Sequence, residues 1–159
     1  MATIRLGTEA DAPDLGRMAA GLVRLHHAYD AQRFIMVEGN IEEGYGRWLA
    51  RETKNERAVV LVAELEGKIV GYAYATLQDR DWMMLLDACG VLQDIWVDEQ
   101  ARRAGVAKML VLDVCRRFRD LGAPRVVLST AAKNEGAQKF FEEMGFRRTM
   151  IEMTRELEK

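Results

Sequence analysis

The sequence has few of the residues that build specialised scaffolds: 159 residues hold two cysteines and two prolines. Cys89 and Cys115 show no CxxC spacing and no adjacent histidine, so neither a disulfide framework nor a zinc site is expected, and no metal is assigned. Pro13 and Pro124 are too sparse for a proline-rich linker or a low-complexity tract. There is no basic excess either. The formal net charge of -2 removes the electrostatic footprint of a general nucleic-acid binder. No apolar run approaches the roughly 18 residues a bilayer span needs. The opening MATIRLGTEADAPDL lacks the basic-then-apolar order of an export leader. These absences give the expectation of a cytoplasmic protein with no membrane or nucleic-acid partner.

What is present fits an ordinary globular chain. At 49% hydrophobic and 30% charged, it carries enough apolar side chains for a core, and its length suits one domain over residues 1–159. No linker or internal repeat interrupts it.

The hydrophobic period switches repeatedly between helix and strand. Thr3–Leu6 reads as a short strand. Asp11, followed by Pro13, opens a helix to about Tyr29 with Leu15, Met18, Ala19, Leu22 and Val23 on one face. Residues 30–44 are irregular or briefly helical, and Ile41–Glu52 reads as a second helix. Ala58–Leu65 and Ile69–Leu77 form a hairpin through Glu66-Gly67-Lys68, and 78–90 is a loop or a disturbed strand start. Val91–Val97 is a strand, Arg103–Leu121 a helix and Arg125–Thr130 a strand. Asn134–Met144 is the last helix, ended by Gly145, and Phe146–Leu157 alternates as a final strand. This order predicts an α/β (α+β) fold: a mixed, mostly antiparallel central sheet with helices on both faces.

The stretch DEQARRAGVAKML follows one strand and opens a helix. A helix N-terminus leaves amide donors unsatisfied and carries partial positive charge, so a turn of small residues there can wrap an anion such as a diphosphate. Arg102 and Arg103 would add charge. A glycine in this position also serves simply to make a turn, and paired arginines are commonly solvated. Two better-known phosphate loops are missing, since no GxxxxGK[ST] occurs and no GxGxxG follows the first strand.

Arg102-x-x-Gly105-x-Ala107 within VLQDIWVDEQARRAGVAKMLV resembles the Gln/Arg-x-x-Gly-x-Gly/Ala acetyl-CoA loop of the GCN5-related N-acetyltransferase (GNAT) superfamily. NEGAQKFFEEMGFRR, from Asn134, is similar to that superfamily's second signature. The likeness covers residues 59 to 157 well and the first 58 only in outline. It implies an acetyl-CoA-dependent N-acetyltransferase in which an amine attacks the thioester directly, with a small-molecule primary amine as acceptor. Main-chain groups of Ile95, Trp96 and Val97 would run beside the pantetheine arm. Amides of Arg103, Ala104, Gly105, Val106 and Ala107 would hold the pyrophosphate together with Arg102. Asn134 would contact pantetheine or cap its helix. The resemblance leaves a protein or peptide acetyltransferase and a non-catalytic acyl-CoA sensor as rival readings.

Two departures bear on the chemistry. The superfamily's polyamine acetyltransferases carry Glu where this chain has Gln93, which cannot act as a base; Asp94 matches an acid in those enzymes. Gln93 and Asp94 are the catalytic candidates, yet adjacent strand residues face opposite ways unless a bulge intervenes. Phe141 stands where many members carry a proton-donating Tyr, so it reads as a wall beside the sulfur, as a core residue, or as both. Tyr72 and Tyr74 are possible replacements, or structural. For the acceptor, Tyr29, Arg33 and Phe34 are the substrate-binding candidates, with at most one of His26 and His27 a base. Trp82, Met83 and Met84 would wall a pocket or cover the sheet edge. The last strand's Met150, Ile151 and Met153 suggest a homodimer.

Overall fold

The computed structural model describes residues 1–158. Five strands, β1 (Thr3–Leu6), β2 (Ala58–Leu65), β3 (Lys68–Gln78), β4 (Cys89–Val97) and β5 (Val126–Leu128), lie in the order β1-β2-β3-β4-β5. The first three pairings are antiparallel and β4–β5 is parallel, as the βαβ connection through a helix requires. The mixed, mostly antiparallel sheet is therefore as expected.

Four helices cover it: α1 (Ala12–Tyr29), α2 (Ile41–Glu52), α3 (Val106–Asp120) and α4 (Glu135–Glu143). Period-2 alternation divides the sheet's side chains between two cores. Leu61, Ala63, Ala73, Leu92 and Val97 face α3, with Leu110, Val114 and Phe118 from that helix. Val60, Val62, Tyr72 and Tyr74 face Leu15, Met18 and Leu49 from α1 and α2. Among the described residues, no helix is long and apolar enough to cross a membrane.

The α1–α2 crossing depends on two glycines. A methyl at Gly16 would lie 2.0 Å from the Glu42 carbonyl oxygen, and one at Gly46 would lie 2.4 Å from that of Ala12. Both obstacles are backbone, so neither can swing aside. Gly16→Ala is expected to separate the helices and destabilise the fold by about 1–3 kcal/mol, read as a lower urea midpoint at unchanged m-value. An unaltered midpoint would contradict this account of the crossing.

Three boundaries differ from the sequence reading. The helix expected from Arg103 begins at Val106, because Glu99–Ala104 forms a 3-10 turn that Gly105 ends in the left-handed region at φ 73°. β4 begins at Cys89, earlier than Val91, and β5 is shorter than Arg125–Thr130. The largest correction concerns Phe146–Leu157, expected as a final strand. Residues 146–158 belong to no strand, and 147–158 are exposed. Alternation supplied a strand-like pattern, but a strand exists only where another edge accepts its hydrogen bonds.

Candidate active site

β4 organises the site. Its register against β3 pairs Tyr74 with Asp94 and Ala75 with Leu92, so Gln93 is an extra residue, a β-bulge. The bulge resolves the facing problem. Leu92 and Ile95 both join the α3-side core, which strict alternation forbids for residues three apart, while Asp94 and Trp96 turn toward α1 and α2. Gln93 is exposed and donates from Nε2 to Thr76 Oγ1 at 3.2 Å. The two catalytic candidates therefore do not converge: Asp94 enters the recess and Gln93 remains outside.

Asp94 sits among aromatic groups. The Tyr72 hydroxyl donates to Asp94 Oδ2 at 3.0 Å. Burial pushes the carboxyl above its ordinary range, opposed by that bond and by nearby His26. Burial and the Asp94 charge together raise the Tyr45, Tyr72 and Tyr74 phenols. Tyr74 donates to Glu52 Oε2 at 2.6 Å, and Trp48 stands edge-on to both Tyr45 and Tyr74 at centroid distances of 6.0 and 5.0 Å. Tyr72 and Tyr74, weighed above as proton donors, thus already commit their hydroxyl hydrogens to hydrogen bonds with carboxylates. Tyr45, Trp48 and Glu52 were not among the candidates; the helical register of Tyr45 and Trp48 was visible, but the strand face they meet was not.

Past Leu92, β4 and β5 part. Their parallel pairing is confined to Gly90–Val126, Val91–Val127 and Leu92–Leu128, so Gln93 to Val97 have a free edge on that side. Ile95, Trp96 and Val97 all lie on this free stretch. At its end, α3 begins without a side-chain cap. The Gly105 carbonyl accepts from the Met109 amide at 3.1 Å, and the first-turn amides of Val106, Ala107 and Lys108 point out of the helix end with no side chain to receive them. The open edge and the uncapped helix end form one continuous path.

The individual residues of this turn divide. Val106 is fully buried and offers its backbone only, while Ala104 and Gly105 are exposed and Ala107 is half-buried. Arg102 folds back, donating from Nε to the Val97 carbonyl at 3.1 Å with its guanidinium 5.8 Å from the Trp96 ring centroid. Arg103 is exposed and makes no side-chain hydrogen bond or ion pair among the described residues. Arg17 grips Asp98 through two bonds of 2.9 and 3.1 Å, and Trp96 Nε1 adds a third at 2.9 Å. Although burial opposes it, these bonds hold the Asp98 carboxyl below its usual range. They also fasten α1 to the end of β4, a link that the sequence separation of Arg17 and Asp98 concealed.

Asn134 takes the capping alternative, its side chain accepting from the Ala137 amide at 3.1 Å. Phe141 is buried between Phe140 and Phe146, a packed wall.

Tyr29, Arg33 and Phe34 come together in a cavity of about 250 Å³, completed by Asp30, Ala131–Lys133, Glu152 and Thr154. Arg33 pairs with Glu152 and lies 5.0 Å from the Phe34 ring centroid. His26 and His27 hydrogen-bond through Nδ1 to the carbonyls of Leu22 and Phe34, at 2.8 and 2.9 Å. A carbonyl only accepts, so each ring carries a hydrogen on Nδ1. His26 links the two recesses, contacting Phe34 and Tyr29, and its imidazole lies close enough to Asp94 for a positive ring to oppose the upward push of burial on that carboxyl. Trp82 lines a separate cavity of about 190 Å³ at the β3–β4 hairpin tip with Arg80, Leu85 and Leu86, while Met83 and Met84 stand exposed beside it.

The sequence profile of the Acetyltransferase (GNAT) family matches residues 22–146. The chain is 35% identical over 81 residues to glucosamine 6-phosphate N-acetyltransferase of Trypanosoma brucei brucei, across 51% of this chain and 52% of that protein. It is 36% identical over 88 residues to human N-acetyltransferase 8 (Homo sapiens), across 55% of this chain and 38% of that protein. The matched stretch thus spans about half of the first relative's length and less of the second. Among solved structures, the BH1408 tetramutant from Bacillus halodurans is similar at TM-score 0.84 and 20% identity, covering 98% of this chain and 99% of that one. Aminoglycoside N-acetyltransferase AAC(6')-Iy in complex with CoA is similar at TM-score 0.77 and 19% identity, covering 99% and 95%. At such identities these two structures establish a shared fold.

Proposed function

The chain belongs to the GNAT family of acetyltransferases, and on that premise we propose that it is a single-domain, acetyl-CoA-dependent N-acetyltransferase acting on a primary amine of a small molecule. One observation carries the reading. The same strand that loses its neighbour after Leu92, and leads to an uncapped helix end, also bulges to turn Asp94 into an aromatic recess. A donor path and an acceptor recess thus meet on β4.

The donor path fits acetyl-CoA by chemistry. The main-chain groups along the open edge from Gln93 to Val97, apart from the Val97 carbonyl that Arg102 occupies, suit the amides of the pantetheine arm, as an added strand would. The amides of Val106, Ala107 and Lys108 suit the pyrophosphate, with Arg103 at hand for a further phosphate. When bound, acetyl-CoA supplies the electrophilic thioester carbonyl.

Asp94 receives the acceptor. As a carboxylate it attracts the ammonium, and the half-buried Tyr45 and Trp48 rings suit a cation at close range. An aliphatic ammonium with a pKa near 10.4 must lose a proton before its nitrogen can attack. Asp94, its pKa raised above the ordinary carboxylate value by burial, takes that proton directly or through one water. Nitrogen then bonds to the carbonyl carbon while a strand amide near Ile95 donates to the developing oxyanion, and as the carbon–sulfur bond breaks the nitrogen's second proton passes through water to the departing thiolate or to bulk solvent. Phe141 has no proton to give, so the thiolate leaves as an anion or is protonated by water. Gln93, outside the recess, positions rather than reacts.

The cavity at Tyr29, Arg33 and Phe34 is lined by both signs of charge, which suits the polar remainder of a hydroxylated amine. Amino sugars and aminoglycosides head the panel, in keeping with the relatives' names. We further place the protein in the cytoplasm. The test follows CoA thiol release from acetyl-CoA with amino sugars, aminoglycosides, simple diamines and peptides. Release with a small amine supports the proposal. Release with peptides alone makes the acceptor a protein, and binding of acetyl-CoA without release makes the chain a sensor.

A further inference from the structure

α2 sets three side chains in a row over the sheet. Tyr45, Trp48 and Glu52 stand at i, i+3 and i+7, one face of the helix, and that face meets the side of β3 that carries Tyr72 and Tyr74. Tyr45 lies at the Asp94 end, its phenol raised by burial and by that charge, and Trp48 stands edge-on to Tyr74 at 5.0 Å. Glu52 closes the row. Each carboxylate spends one oxygen on a tyrosine hydroxyl, Asp94 Oδ2 on Tyr72 at 3.0 Å and Glu52 Oε2 on Tyr74 at 2.6 Å. Asp94 Oδ1 and Glu52 Oε1 accept no side-chain hydrogen bond among the described residues. Tyr74 connects the two acids, lying opposite Asp94 in the β3–β4 register and reaching Glu52 through its hydroxyl.

The recess holds two acids and no lysine or arginine to match them. Arg47 pairs with Glu43, Lys54 with Glu9 and Arg57 with Asp79, while Arg51 is exposed; among the described residues neither Asp94 nor Glu52 forms an ion pair. One imidazole, that of His26, acts on Asp94 when protonated. Two carboxylates sharing a half-closed recess repel each other and lose hydration, and a ligand with two positive charges relieves both.

We propose that this recess, read as the acceptor site of the acetyltransferase proposed above and resting on that reading, selects an amine that carries a second ammonium. The reacting nitrogen sits at Asp94, the unreacting ammonium at Glu52, and the spacer runs along the Tyr45 and Trp48 rings. Tyr72 and Tyr74 are two residues apart on a strand rising about 3.4 Å per residue, so the acids they hold stand about 7 Å apart, the reach of a spacer of roughly four or five carbons. The rings serve both parts of such a ligand, attracting the ammonium groups with their faces and covering the methylenes with their surface. Glu52 thus sets specificity without touching the reacting atoms. An aminoglycoside, with several ammonium groups on linked rings, meets the same demand, whereas a sugar with one amine leaves Glu52 unpaired.

The test compares cadaverine with pentylamine, which has the same carbon chain and lacks the second ammonium. Calorimetric titration of each into the protein–CoA complex should give cadaverine an affinity about tenfold tighter, in line with a hydrogen bond between charged groups. In Glu52→Gln the side-chain oxygen still accepts from the Tyr74 hydroxyl, so the thermal midpoint and acetyl-CoA affinity should match the parent while the preference for cadaverine disappears. Glu52→Asp keeps the charge and should keep a preference of the same sign, which separates loss of charge from loss of packing. Ethylenediamine and ethylamine are too short to bridge the acids, and any difference between them should be unaltered by Glu52→Gln. The ratio of kcat/KM for cadaverine over pentylamine, from CoA thiol release, should follow the affinities. Equal affinity for the two amines, binding of neither, or a preference that survives Glu52→Gln overturns the second ammonium site; thiol release from any amine would still uphold the acetyltransferase. A preference that depends on Glu52 without thiol release upholds the site and removes the acetyltransferase reading instead.

Discussion

Asp94→Asn is expected to lower acceptor turnover by about 10²–10⁴-fold, the usual contribution of a positioned base, while acetyl-CoA binds as before. The substitution keeps volume, and the Asn oxygen still accepts from the Tyr72 hydroxyl, so the recess retains its shape. What disappears is the charge that draws the ammonium in and the site that takes its proton. The pH dependence gives the sharper reading. A base must be unprotonated, and burial raises the Asp94 pKa above the ordinary carboxylate value, so the parent's kcat/KM rises with pH through that raised pKa. The variant should lack this limb. Stability moves the other way. A carboxyl whose folded pKa is raised binds its proton more tightly in the folded state, so its contribution is fully present below the unfolded pKa and is lost as pH rises through the folded one. At pH 7–8, Asp94→Asn should therefore be at least as stable as the parent. Loss of activity with retained or increased thermal stability separates a chemical role from a structural one. A variant with the parent's turnover and the same pH profile would leave Asp94 without a part in the reaction.

Legibility in the sequence tracked how local the deciding interaction was. The four helices and the β2–β3 hairpin rest on periodicity and turn residues within one segment, and they appear nearly where the pattern puts them. The Asn134 cap was likewise written in the residues at a helix start. The bulge at Gln93 was visible only as a contradiction, since Leu92 and Ile95 are both apolar at a spacing that alternation does not allow on one face; the register against β3 resolves it. The parting of β4 and β5 could not be read from either strand alone, because it is a property of their relative direction. Tyr45, Trp48 and Glu52 reached the Asp94 recess through the packing of α2 over β3, set by a backbone-to-backbone contact at Gly16 and Gly46. The arm failed as a strand for the opposite reason: its pattern was adequate, but pairing needs an edge that the single chain does not bring to it.

Gly105→Val is expected to weaken acetyl-CoA binding at least tenfold, about 1.4 kcal/mol, and the structure changes the reason for expecting it. A methyl at Gly105 would meet nothing within 4 Å in the protein, so the protein itself does not crowd the substitution. Two effects remain. The backbone at φ 73° lies in the left-handed region, where an L-residue costs about 1–2 kcal/mol and a β-branched one fares worst. Relaxing that strain rotates the peptide entering α3 and re-aims the Val106 and Ala107 amides. In addition, the open space beside the glycine is the approach a phosphate needs. Gly105→Asn distinguishes them, because Asn tolerates the left-handed region but still projects a side chain into the approach. If amide aim dominates, calorimetric titration should show near-parental CoA affinity for Asn and a large loss for Val. If closeness of approach dominates, both lose affinity while Asn keeps the parent's thermal midpoint. Titration of the parent with dephospho-CoA then isolates the remaining phosphate, and Arg103, whose guanidinium has no partner among the described residues, is the side chain expected to feel its removal, since Arg102 is bonded to the Val97 carbonyl. A folded Gly105→Val protein that binds CoA as tightly as the parent would show that the donor does not lie at this helix end.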